Sequence, residues 1–149
     1  MPAPSRVGSM SGTLQRDAAP LGSALVVTTD SAAVLAAIEG TLLQYPDALA
    51  IGGRMTLDIR VVPDQPGDPG WPTVTAEFHD GGMVVRCGNS RAIVDQPGEH
   101  AEVVLAESLA SIPDAVRLLA EAAFTSVHVA NGRLHAVHSG LVAAGGTGL

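Results

Sequence analysis

Lysine is absent from this chain of 149 residues, and cysteine, aromatic residues and long apolar runs are scarce. All eight basic side chains are arginines, they face 15 acidic ones, and the formal net charge is −7 at pH 7. This acidic excess, with no basic run, repels nucleic acid and anionic membrane surfaces, so we expect neither as a partner. The lack of lysine also excludes catalysis through a Schiff base.

The scarcity of cysteine and of apolar runs bears on location. A single cysteine, Cys87, cannot form a disulfide within the chain, which is typical of a reducing compartment. No apolar run reaches the roughly 18 residues of a membrane span. The first 20 residues also lack the apolar segment of a secretory signal. We therefore expect a cytoplasmic protein, with Cys87 as a buried structural thiol in an apolar strand.

The order of apolar patterns predicts an α+β fold, a mainly antiparallel sheet with two helices. Residues 1–23 are predicted to be a flexible arm, residues 24–132 an α+β domain, and residues 133–149 the first strand and turn of a further core. Strands are expected over residues 23–29, 55–62, 73–79, 83–87, 91–95 and 133–144, and helices over 31–44 and from 111 to about 130. Residues 103–105 are ambiguous between strand and helix.

Cap residues and turns support this organisation. Thr29 or Asp30 is expected to cap the first helix, and Ser111 the second. The second helix carries one apolar stripe, formed by Val116, Leu119, Ala123 and Val127. Trp71 lies in a loop rich in proline and glycine and is predicted to cover the sheet edge.

Histidine is the residue type best suited to a metal site or to acid–base catalysis, and the chain has five: His79, His100, His128, His135 and His138. His135 and His138 are three residues apart, and on a strand this spacing places their rings on opposite faces, which disfavours a metal site. His128 lies in the helix stripe and is expected to pack. His128, His135 and His138 have no carboxylate nearby in sequence that would complete a site. A small metal or acid–base enzyme built on His79, His135 and His138 is the weakest of three alternatives.

The C-terminal segment has the most specific pattern. Residues 137–149, V-H-S-G-L-V-A-A-G-G-T-G-L, combine a strand that begins near a histidine, a glycine hairpin and the opening of a second strand. The segment resembles the start of the kinase core in the HPr kinase/phosphorylase family. There a V-H-x-x-[LV]-V strand leads through a G-x-G turn into a strand that runs into a Walker A loop, G-x-x-x-x-G-K-[ST]. The match needs no gap, and it includes His138, Leu141, Val142, Gly146, Gly148 and Leu149.

The resemblance implies an ATP-dependent kinase that phosphorylates a protein serine, with Mg²⁺ as the accompanying ion. His138 aligns with the family's active-site histidine. Gly145, Gly146, Thr147 and Gly148 are either the hairpin turn before the phosphate-binding loop or, in a second register, the first residues of that loop. In both registers the lysine that neutralises the phosphates is missing. This chain alone is therefore expected to bind no nucleotide tightly and to be inactive.

We thus expect the N-terminal region of an HPr-kinase-like serine kinase, ending before the phosphate-binding lysine. Its expected partners are a protein substrate or the rest of its own kinase core. The strand that begins at Arg133 would be an exposed edge open to self-association. The alternative is a stand-alone, non-catalytic α+β binding module, in which His138 is an ordinary strand histidine.

Overall fold

A computed structural model describes residues 12–67, 71, 73–136, 142–144 and 147–148. The helices are α1 (Ala32–Glu39), α2 (Glu107–Ala110) and α3 (Pro113–Ala130), and short 3-10 turns cover Pro20–Gly22, Leu42–Gln44 and Asp47–Leu49. The strands are β1 (Leu14–Ala18), β2 (Ala24–Thr29), β3 (Arg54–Val62), β4 (Val74–His79), β5 (Gly82–Cys87), β6 (Ser90–Asp95), β7 (His100–Ala106), β8 (His135–Ala136), β9 (Val142–Ala144) and β10 (Thr147–Gly148).

Seven strands form one sheet in the order β1-β2-β3-β7-β6-β5-β4. The central strands β2, β3 and β7 run parallel, whereas β1 and the meander β4-β5-β6 pair antiparallel with their neighbours. The parallel neighbours are compatible with their long connections, since α1 lies between β2 and β3 and the meander lies between β3 and β7. The α+β class with a mostly antiparallel sheet is confirmed.

One face of the sheet and the helices α1 and α3 enclose the core. β3 shows why, because Met55, Leu57 and Ile59 are buried while the residues between them are exposed. The predicted stripe of α3 faces this sheet, and its four members are at most 1 % exposed. Phe124, on the same helix, is the largest fully buried side chain. Few aromatic residues are present, so aliphatic residues fill most of the core. The opposite face of the sheet carries no helix among the described residues and is mostly polar.

The flexible arm predicted for residues 1–23 is wrong where the structure describes it. Residues 14–18 form β1, which pairs antiparallel with β2 from Leu14 opposite Thr29 to Ala18 opposite Leu25. This edge strand is largely exposed and lacks apolar alternation, so the sequence pattern does not reveal it. Its backbone supplies the hydrogen-bond partners that β2 would otherwise lack.

The residues that cap the N-termini of α1 and α3 differ from those predicted. Ser31, and not Thr29 or Asp30, caps α1, because its hydroxyl accepts the Val34 amide at 3.3 Å. The helix ends at Gly40, and a separate 3-10 turn follows where the helix was expected to continue to residue 44. At α3 the Ser111 hydroxyl donates to the Ser108 carbonyl, so it does not cap the helix.

The single strand predicted over residues 133–144 is also wrong. Of the residues in that range that the structure describes, two segments are strands, β8 and β9, and they pair antiparallel with His135 opposite Ala143. β9 in turn pairs with β10, Thr147 lying opposite Ala144. The ambiguous residues 103–105 belong to β7. Across the described residues, no helix is both long and apolar enough to cross a membrane.

Candidate functional site

The helix-free face of the sheet brings together a carboxylate and an imidazole from two parallel strands. Asp58 lies on the polar side of β3, and His100 opens the neighbouring strand β7. The His100 ring nitrogen Nε2 lies 2.9 Å from Asp58 Oδ2, and the Thr28 hydroxyl of β2 donates to Asp58 Oδ1. Each oxygen of this carboxylate thus has a separate partner, and three adjacent strands contribute to the cluster.

The two hydrogen bonds set the charge of the Asp58 carboxyl group. Burial by itself would raise its pKa, but the bonds from Thr28 and His100, together with the charge of the imidazole, outweigh burial and lower the pKa. Asp58 is therefore ionised at neutral pH. It can accept a hydrogen bond from Nε2–H of His100, and Nδ1 of that ring is then a second hydrogen-bonding atom.

An open depression of about 330 Å³ surrounds this cluster. Its walls are formed by Thr13, Thr28, Thr29, Asp30, Asp58, Ile59, Arg60, His100 and Glu102. Arg60 pairs with Glu102 at 3.0 Å, and the Asp30 carboxylate accepts the Val61 amide at 3.0 Å. Three carboxylates against one guanidinium and one imidazole make the depression acidic. The arrangement can therefore hydrogen-bond a polar or cationic ligand, but it is unsuited to phosphate groups.

A second polar cluster is buried at the end of α3. His128 is fully buried, and Ser23 Oγ lies 3.0 Å from its Nε2. The Arg133 guanidinium donates to its Nδ1 at 3.1 Å and also to the Glu99 carboxylate. Because arginine can only donate, Nδ1 of His128 is the acceptor and Nε2 carries the proton. The ring is therefore neutral.

The environment of His128 holds it in that neutral form. Burial and the nearby Arg133 charge lower the pKa of His128 to about 4, and the Glu99 charge offsets this only in part. The Arg133 side chain lies against Gly53, where a Cβ atom would collide with the guanidinium. The cluster thus ties β2, the turn before β7 and the chain that leaves α3 to one another. Its closed, fully bonded character marks a structural role, in line with the expectation that His128 packs.

The residues singled out by the family resemblance are not brought into a site that can be described. His138, Gly145 and Gly146 lie outside the described residues. Thr147 and Gly148 form β10. His79 ends β4 and lies 3.9 Å from the Glu77 carboxylate, while His135 begins β8, so the two belong to different sheets. The part of the chain that the structure describes holds no group of three potential metal ligands.

The sequence-based search missed the pair of Asp58 and His100. The two residues are 42 positions apart, and only the parallel register of β3 and β7 makes them neighbours. The alternation in β3 did place Asp58 on a polar face, but the strand that carries His100 was ambiguous in sequence. Cys87 is fully buried, as predicted, and Trp71 packs against the core.

Comparison with known proteins gives no further guide to the site. No protein-family description, curated protein or solved structure matches this chain.

Proposed function

We propose that this chain is the N-terminal region of an HPr-kinase-like, ATP-dependent serine kinase. In this proposal, residues 12–134 form an accessory domain, and the strands β8, β9 and β10 begin the nucleotide-binding core. The accessory domain packs against that core and helps to select a protein substrate. The protein works in the cytoplasm, where ATP is abundant and its single cysteine stays reduced.

The observation that carries the proposal is the break in the sheet after α3. Among the described residues, β8, β9 and β10 pair with one another in a separate three-stranded sheet, although the seven-stranded sheet has two edge strands. A segment that starts a second structural unit is expected to pair in this way. The antiparallel pairing of β9 with β10 across residues 145–146 supports the hairpin register of the family over the loop register.

Phosphate chemistry in this proposal requires residues that this chain does not supply. It contains no lysine, so the Walker A lysine that contacts the phosphates must follow Leu149. His138 aligns with the active-site histidine of the family, and ATP with Mg²⁺ would be the cofactors of the complete kinase. The depression around Asp58 is too acidic to serve as an alternative phosphate site.

The proposal is tested first on the gene and then on the protein. Reading the coding sequence beyond Leu149 in all frames is expected to show G-x-x-x-x-G-K-[ST] within about 20 codons, because one short strand separates the hairpin from the loop. The 149-residue chain should show no thermal shift with ATP and Mg²⁺, whereas the extended chain should be stabilised. Absence of the motif, or a shift of several degrees in the short chain, contradicts the proposal.

A stand-alone binding module is the second candidate, and the cluster of Thr28, Asp58 and His100 beside an open depression favours it. This candidate requires residues 133–149 to be as stable as the main sheet. Hydrogen exchange compares the two regions directly. Amides of residues 133–149 that exchange orders of magnitude faster than those of β3 favour the kinase proposal, and equal protection favours the module.

A further inference from the structure

Three arginines lie in a single row across the helix-free face of the sheet. Arg86 of β5 lies opposite Arg91 of β6, Arg91 lies opposite Val104 of β7, and Val104 lies opposite Arg60 of β3. Directly opposed residues share a face, so the three guanidinium groups project from the same side. We call this set the arginine row. It holds three of the eight basic side chains of a chain whose net charge is −7.

The row includes a like-charge pair that no acidic side chain among the described residues neutralises. Arg86 and Arg91 make no ion pair with any other described residue, although like charges directly opposite each other destabilise a sheet. Arg60 does pair with Glu102, but both side chains are about half exposed. A carboxylate of a ligand can therefore replace Glu102 at little cost in free energy. An anionic ligand that binds across the row would relieve this repulsion.

The surroundings of the row include apolar surface as well as charge. Ile93, two residues along β6 from Arg91, is 42 % exposed although it is a large aliphatic side chain. Val84 lies opposite Ile93 on β5 and is half-buried. A ligand bound here contacts both guanidinium groups and an aliphatic patch. A polypeptide with acidic and apolar side chains matches both features.

The dimensions of the row fit an extended peptide. Adjacent strands are about 4.8 Å apart, so Arg86 and Arg60, three strands apart, are separated by about 14 Å. Alternate residues of an extended chain point the same way and recur about every 7 Å. Acidic residues at positions i, i+2 and i+4 therefore span the row, and each carboxylate can accept from a guanidinium fork.

We propose that the arginine row is a docking surface for an extended acidic segment of a partner protein. The segment crosses the strands on the face opposite the helices, its carboxylates pair with Arg86, Arg91 and Arg60, and its apolar side chains contact Ile93. This surface adjoins the acidic depression around Asp58, and Arg60 belongs to both. The inference does not depend on the proposed kinase function, since it uses only residues of the seven-stranded sheet.

The test measures binding of a fluorescein-labelled ten-residue peptide that alternates Glu and Ser, by anisotropy at 50 mM and 300 mM NaCl. The same peptide with Gln for Glu is the neutral control. The variant pair is Arg86→Gln with Arg91→Gln. Its matched control is Arg16→Gln with Arg117→Gln, which makes the same change in net charge; Arg16 pairs with Glu39 and Arg117 lies on α3, both away from the row. Tripolyphosphate and a ten-nucleotide oligothymidine are tested as competitors of the peptide.

We expect the acidic peptide to bind, to weaken at high salt, and to lose about fivefold or more in affinity in the row variant but less than twofold in the control. The row variant should keep the melting temperature of the natural chain, because the replaced pair is repulsive. Equal binding of the Gln peptide, equal loss in both variants, or no binding at 1 mM peptide overturns the proposal. Tighter binding of tripolyphosphate or of the oligonucleotide overturns it as well, since the row would then be a phosphate site.

Discussion

Acidification from pH 7 to pH 5 should destabilise this protein through His128, well above the range in which carboxylates titrate. The ring is fully buried, it accepts from Arg133 at Nδ1, and its Nε2–H proton points to Ser23. A second proton would have to enter at Nδ1, directly against a guanidinium group. The folded protein therefore resists protonation that the unfolded chain accepts.

The size and sign of the effect follow from the two pKa values. The pKa of His128 is about 4 in the folded protein and 6.5 in the unfolded chain, so the unfolded chain binds more protons between these values. The contribution of the neutral His128 ring to the free energy of unfolding is fully present above pH 6.5 and declines as the pH falls to about 4. The expected loss is about 2 kcal/mol at pH 5 and about 3 kcal/mol once the decline is complete.

The assay is urea unfolding at pH 7 and pH 5 of the natural chain and of His128→Gln, an amide that can donate and accept but does not titrate. The natural chain should lose about 2 kcal/mol more than the variant over this interval. Asp58 does not interfere, because its lowered pKa places its own contribution below about pH 4. Equal losses in both proteins would refute the reasoning. An NMR titration of the His128 ring in the natural chain gives an independent check, and a midpoint near 6.5 would contradict it.

Three substitutions test the packing. Gly22→Ala should lower the free energy of unfolding by about 2 kcal/mol or more, because φ is +80° and the new Cβ would lie 2.5 Å from the Ala50 backbone. A urea midpoint equal to that of the natural chain would contradict this. Ser90→Ala leaves the buried Ala106 amide unpaired and should cost about 1–3 kcal/mol in urea unfolding. Phe124→Ala should lower the free energy of unfolding by about 3–5 kcal/mol, whereas Phe78→Ala, at a side chain 75 % exposed, should lower it by under about 0.5 kcal/mol. Similar losses in the two variants would contradict the assignment of Phe124 to the core.

The parts of the fold that sequence could predict are those whose burial follows a local period. β3 alternates residue by residue, and α3 repeats its apolar stripe every three or four residues, so both were located within one or two residues. β1 has no such pattern, because an exposed edge strand is held by backbone hydrogen bonds that any side chain allows. The division of residues 133–144 into β8 and β9 was equally invisible, since strand propensity does not specify a partner.

The candidate site depends on register, which local patterns do not encode. The pairing of Asp58 with His100 and the alignment of Arg60 with Arg91 both pass through β7. A shift of β7 by one residue would turn His100 to the other face and would end the alignment of Arg60 with Arg91. Only the three-dimensional arrangement reveals which charges are compensated and which are not.

The position of β7 also has a consequence for biosynthesis. This strand is made after the meander, yet it lies between β3 and β6 and supplies the hydrogen bonds that join the two halves of the sheet. Until residues 100–106 leave the ribosome, both halves expose an unsatisfied strand edge to other nascent chains. Because the contacts that join the two halves of the sheet are distant in sequence, we expect the sheet to form slowly. Chaperone dependence during translation is therefore expected to end abruptly once β7 has emerged.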